Sequence, residues 1–186
     1  MLRLADGTFL KLFRRKRLIS SALIYPYAKR FADNIEMLKA RGIACPSVIG
    51  VYRVAAIQRD LVHYRPLLGR PLRQIGDPIE RSALRPRFGT FVAELHNKGI
   101  YFRSLHLGNV ILGKDGTLGL IDIADLTASR RSLSKRKRLR NFRHVFRYPA
   151  DQEWLTGSGD TAFFSSYALQ AKPAIELSEL TQIVLG

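Results

Sequence analysis

Apolar and polar residues alternate in two short runs at the start of the chain, 2–4 and 9–13, separated by Ala5-Asp6-Gly7-Thr8. Alternation of period two marks strands, and a Gly after Asp supplies the positive φ of a tight reversal, so a β-hairpin is expected. Phe31, Ile35 and Leu38 then recur at helical spacing, which predicts a helix over 27–41 stopped by Gly42. Residues 48–54 and 61–64 read as strands, and Pro66, Gly69 and Pro71 punctuate a connection into the second half. There Phe88, Phe91, Val92 and Leu95 mark the buried stripe of a helix that ends at Lys98-Gly99. An irregular loop over 100–108 leads into a second hairpin, 110–112 with 118–121, closed around Asp115-Gly116. The remainder reads as helical.

This order of strands, helix, strands, helix and helical tail defines an α+β chain, and 186 residues fit one domain. With 46% hydrophobic residues the composition is globular, and no apolar run reaches the roughly 18–20 residues of a membrane span. Residues 1–13 contain Arg3, Asp6 and Lys11 and lack the apolar core of a secretory signal, which points to the cytoplasm. The single cysteine, Cys45, reads as a small buried thiol in a reducing compartment.

Charge narrows the partners. There are 31 Lys and Arg against 15 Asp and Glu, a formal net charge of +16, so the surface attracts polyanions. Two clusters carry much of it. Residues 14–17 are all basic, and 130–147 hold nine Lys or Arg and no acid, interleaved with Leu133, Leu139, Phe142, Val145 and Phe146. That pattern suits a basic helix on an anionic membrane surface or substrate, and equally a solvated helix face. Nucleic acid is the weaker reading, since no zinc-ligand set or RNA-binding motif accompanies the charge.

If Asp115-Gly116 are the two central residues of a type I′ turn, Leu112 faces Gly119, Val110 faces Ile121, and Asn109 faces Asp122. An amide oxygen and a carboxylate would then stand side by side at the open end of the hairpin, a pair of hard ligands suited to Mg²⁺. Asn and Asp at strand ends also cap turns, so the pairing alone leaves both readings open.

The stretch Glu94-Leu95-His96-Asn97-Lys98-Gly99-Ile100, the loop Phe102-Arg103-Ser104-Leu105-His106-Leu107-Gly108-Asn109, and Leu120-Ile121-Asp122 resemble the catalytic core of the lipopolysaccharide core (Kdo/heptose) kinase family, within it the small toluene-tolerance-type proteins. The resemblance implies a protein-kinase-like two-lobed fold. A small lobe over 1–70 would have a truncated sheet and one helix. A mainly helical lobe over 71–186 would hold the catalytic-type loop 100–109, the metal hairpin 109–122 and the basic region 129–147. It implies that ATP and Mg²⁺ are cofactors, with Asn109 and Asp122 on the metal and Lys11 on the nucleotide phosphates. Tyr64 would belong to the strand and hinge at the adenine. Arg103 or His106 would orient a sugar hydroxyl of the lipopolysaccharide core. An anionic glycolipid or the inner-membrane surface would be engaged through 14–17 and 130–147 by a monomer.

Three departures accompany the resemblance. Ser104 stands where the family has its catalytic Asp, and Phe102 where it has His; a serine hydroxyl does not accept a proton at neutral pH as a carboxylate does. His106 is a substitute base or a packed loop residue. No glycine-rich phosphate loop occurs in the residues given. No Glu on helix 27–41 is placed to pair with Lys11, because Asp33 and Glu36 lie opposite the buried stripe and only Asn34 flanks it. These departures leave a second reading open, a pseudokinase scaffold without turnover.

Overall fold

The computed structural model describes residues 1–14 and 25–185. The chain forms two compact units, Met1–Gly69 with Gly113–Asp125, and Arg70–Leu112 with Leu126–Gly186.

In the first unit β1 (Leu2–Arg3), β2 (Phe9–Arg14), β3 (Ser47–Val54) and β4 (Arg59–Arg65) form an antiparallel sheet in the order β1-β2-β4-β3. Phe9 pairs with Tyr64 and Lys11 with Val62. Helix α1 (Tyr27–Ala40) buries Ala28, Phe31, Ile35 and Leu38, the predicted stripe, and sets Phe31 against Phe13 and Tyr64 at centroid distances of 6.3 and 5.2 Å. Residues 113–125, which the sequence reading assigned to the helical lobe, cluster with this unit for a physical reason. Leu120 N donates to Ala44 O (2.9 Å), and Asn34 Nδ2 donates to Ile123 O (2.7 Å). A Cβ on Gly119 would stand 2.5 Å from Leu67 Cδ2 and 2.6 Å from Ala44 O, so only glycine permits that approach.

Both Asp-Gly turns are built alike, and the second differs from the two-residue type I′ turn expected of it. Leu4 N donates to Thr8 O and Gly113 N to Thr117 O, each at 2.9 Å, so three residues form each loop. Asp6 and Asp115 accept from the backbone N and hydroxyl of the following Thr, while Gly7 and Gly116 take φ of 79° and 81°. This is a type I turn closed by a left-handed glycine. It moves the starting register by one residue, and the pairing of Asn109 with Asp122 no longer follows from the turn.

Strand β8 (Leu118–Leu120) also belongs to the first unit, and the second unit contains β5 (Arg70–Pro71), α2 (Pro78–Asn97), β6 (Ile100–Phe102), β7 (Val110–Leu112) and β9 (Leu126–Ala128). Helices α3 (Lys135–Val145), α4 (Pro149–Thr156), α5 (Ala162–Gln170) and α6 (Leu177–Leu185) complete it. Asp77 caps α2 by accepting from Glu80 N. Gly99, at φ 75°, ends it, and the chain returns as β6, antiparallel to β9, so the expected irregular loop begins as a strand. Phe88, Phe142, Phe146, Phe163, Phe164 and Tyr167 form the core. Among the described residues no helix is long and apolar enough to cross a membrane.

Candidate functional site

Lys11 sits mid-strand in β2 on the face turned to α1, its ammonium 5.4 Å and 5.5 Å from the ring centroids of Phe13 and Phe31. Its Nζ donates to Asp122 Oδ1. The Lys11 side chain is 21% exposed and that of Asp122 55%, so the pair opens to solvent on the carboxylate side. Asp122 has φ 55°, a left-handed conformation that costs a non-glycine residue about 1–2 kcal/mol. That turn breaks the strand after β8 and sends the carboxylate to Lys11. No helix acid competes, since Asp33 accepts from Tyr25 OH (2.6 Å) and pairs with Lys29, and Glu36 pairs with Lys39.

Tyr64 lies near the end of β4. The alternation of β4 turns Val62 and Tyr64 inward, and the Tyr64 ring stacks on Phe9 (5.9 Å) within the core. Burial, and then the Asp122 carboxylate, push its phenol pKa up. A cavity of about 570 Å³ beside that strand is lined instead by Phe9, Gly7, Pro66, Leu67, Leu68 and Gly69. Arg3, Asp6, Thr8 and Arg65 complete its wall, which is therefore mixed in character.

In the second unit, Asn109 Nδ2 donates to Ser104 O (2.9 Å), tying the two ends of the loop. Its Oδ1 accepts no hydrogen bond among the described residues, and the same is true of Asp122 Oδ2. Each predicted metal ligand is thus anchored through one polar atom and presents a hard oxygen, as a Mg²⁺ ligand must. Among the described residues there is no group of three or more His, Cys, Asp or Glu that could hold a metal by itself. Arg103 is exposed. His106 packs edge-on against Tyr148 (5.3 Å), with Nδ1 3.4 Å from Arg73 Nη2. A guanidinium only donates, so Nδ1 is the acceptor in this contact.

Sequence reading missed what holds this loop. Asp151 on α4 is fully buried and accepts from Leu107 N (3.0 Å) and, bidentately, from Arg73 Nε and Nη2 (both 2.8 Å). On the other side of the loop, His96 is fully buried; its Nδ1 accepts from Tyr167 OH (2.8 Å) and its Nε2 donates to Asn141 Oδ1 (3.1 Å). Asn141 Nδ2 in turn donates to Phe102 O (2.7 Å). Arg138, also fully buried, donates to Tyr167 OH (3.2 Å), Leu133 O (2.8 Å), Asn97 Oδ1 (3.0 Å) and Lys172 O. Burial, and then the nearby Arg138 charge, depress the His96 pKa to about 3, so the ring is neutral and the chain of donors runs one way, from Arg138 to the loop backbone. Four polar residues from three helices carry this network, and their spacing of up to 71 positions has no local signature.

Of the nine cations in 130–147, Arg138 is therefore structural, whereas Lys135, Arg136, Lys137, Arg140 and Arg143 are exposed. Phe142 and Phe146 are buried, so they do not interleave with the charge at the surface. From the cluster 14–17 only Arg14, which is exposed, lies among the described residues. Cys45 is held near Ile35 O (3.6 Å), and burial pushes its thiol up to about 11, an unreactive state.

No protein-family model matches the chain, and no curated protein sequence does. Among solved structures the chain is similar to an aminoglycoside-3′-phosphotransferase of type VIII, with TM-score 0.67 and 15% identity, over 99% of this chain and 90% of that one. At that identity the likeness establishes the fold. The chain has a protein-kinase-like α+β fold, as the family resemblance implied.

Proposed function

We propose that this chain is a phosphotransferase that uses ATP and Mg²⁺ to phosphorylate a sugar hydroxyl of an anionic acceptor, the lipopolysaccharide core at the inner-membrane face. The observation that carries the reading is the pairing of Lys11 with Asp122 on a kinase-like fold. Nucleotide entry would exchange the Asp122 carboxylate at Lys11 for phosphate oxygens, and Asp122 Oδ2 is the oxygen beside Lys11 that would hold Mg²⁺, which would neutralise phosphate charge. The acceptor oxygen then bonds to the γ-phosphorus as the bond to the ADP oxygen breaks. The hydroxyl proton leaves to water or to the transferred phosphoryl group, because Ser104 does not take it. Since phosphoryl transfer relies mostly on positioning and electrostatics, turnover persists at a reduced rate without a carboxylate base.

A surface of net charge +16 repels a polycationic acceptor such as an aminoglycoside and favours one bearing phosphates or carboxylates. The test is ADP release with Mg²⁺ATP and deacylated lipopolysaccharide core, set against an aminoglycoside. Release with the core oligosaccharide alone, raised at least tenfold in Ser104→Asp and lost in Asp122→Asn, supports the proposal. Ser104 itself favours a second reading, a nucleotide-binding scaffold, and nucleotide binding without release in either the native chain or Ser104→Asp would select it.

A further inference from the structure

Helix α3 presents two unlike faces. Arg138, Asn141, Phe142 and Val145 enter the core of the second unit, while Lys135, Arg136, Lys137, Arg140 and Arg143 line a cavity of about 1700 Å³ between α3 and α6. In its wall Leu139 is the one aliphatic side chain and Glu179 the one acid among the described residues. Glu179 Oε1 lies 2.5 Å from Lys135 Nζ, and the other four cations make no ion pair among the described residues.

The start of the helix itself is not stabilised by this arrangement. Three cations occupy the first turn of α3, the positive end of its dipole, with no acid in that turn and no side-chain cap from Ser134. Such a local conflict marks a surface kept for a ligand. Arg136, Arg140 and Arg143 follow one another along one stripe at steps of about 4.5–6 Å, so a ligand with several anionic groups meets several of them at once. With Phe142 and Phe146 buried, no aromatic side chain lines the groove to stack a nucleic-acid base. One aliphatic residue is too little to enter a bilayer.

We propose that the α3–α6 groove binds the headgroup of a saccharide bearing two or more phosphate or carboxylate groups, with Glu179 an internal carboxylate that occupies Lys135 until a ligand anion replaces it. The inference deepens the acceptor reading above and rests on it. The same helix, through Asn141 and Phe102, holds the loop that contains Ser104 and Asn109, so the ligand-bearing face and the loop share one rigid element.

The test uses tripolyphosphate as probe, titrated into the full chain at two salt concentrations. Expected are a salt-dependent affinity weakened at least tenfold by Arg136→Ala with Arg140→Ala, tightened about threefold by Glu179→Gln, and unchanged by removing two other exposed cations, Lys114→Ala with Lys172→Ala. Deacylated phosphorylated core and vesicles displaying the phosphorylated glycolipid should both compete. Equal losses in the two double variants would overturn the proposal, as would stronger competition by an RNA oligonucleotide or by plain phosphatidylglycerol vesicles at matched phosphate. Nucleotide-induced thermal stabilisation is measured in each variant. Loss of probe binding with that stabilisation intact concerns the groove alone, and the converse concerns the transferase reading alone.

Discussion

Lys11 on β2 and Asp122 after β8, 111 positions apart in the chain, meet in a direct ion pair inside the first unit. The pair needs three local features at once: an alternation that turns Lys11 toward α1, a left-handed residue that breaks the strand at Asp122, and an α1 whose acids are engaged elsewhere. Each group is the other's partner, and the proposed function would require each to be released.

Because the Asp122 side chain is 55% exposed, the pair contributes little to stability. Lys11→Met should change unfolding free energy by less than about 1 kcal/mol in urea titration. Asp122→Gly should be neutral or stabilising, since glycine relieves a φ of 55° at a cost in unfolded-state entropy of similar size. A loss above about 2 kcal/mol in either variant would make the pair a structural element instead.

His96 predicts a pH dependence. Its folded pKa is depressed to about 3 by burial, whereas the unfolded ring titrates near 6.5, so the unfolded chain binds more protons between those values. Its contribution is fully present above about pH 6.5 and is lost as pH falls toward 3, at up to about 1.4 kcal/mol per pH unit. Urea unfolding at several pH values between about 7.5 and 4.5 should show this slope in the native chain. His96→Gln should lack it while losing roughly 1–3 kcal/mol at neutral pH, as buried partners are left imperfectly bonded.

Gly89 lies where α2 meets α5, and a Cβ there would come 2.1 Å from Phe163 O and 3.2 Å from Tyr167 N. Backbone cannot yield as a flexible side chain does, so Gly89→Ala should destabilise by about 1–3 kcal/mol despite its better helix propensity. Thermal unfolding checks the sign, because a surface glycine in a helix would shift the other way.

Much of the fold is legible in short-range pattern. Phe31, Ile35 and Leu38 place α1, and Asp6-Gly7 and Asp115-Gly116 place both hairpin turns. Those turns also show where pattern stops: Asp-Gly serves two-residue and three-residue loops alike, and the Thr after each Gly, which bonds the Asp, selects the longer one. The site divides in the same way. Asn109, Asp122 and Lys11 are visible through a family resemblance, yet Lys11 paired with Asp122 is a tertiary fact. Asp151 beneath the loop, and the line from Arg138 through Tyr167, His96 and Asn141 to Phe102, join residues whose separations carry no periodic signal. Tyr64 shows a further limit, since strand alternation buries an aromatic whose exposure the sequence left open.

Thermal unfolding with and without Mg²⁺ATP, alongside Asp122→Asn, tests the central claim most directly, since Asn tolerates the left-handed backbone and removes only the charge. At nucleotide about 100-fold above Kd, binding adds about 2.7 kcal/mol, a rise of about 5–10 °C for a chain of this size. The account predicts that rise in the native chain, dependent on Mg²⁺ and absent from Asp122→Asn. No rise in the native chain, or an equal rise in the variant, would contradict it.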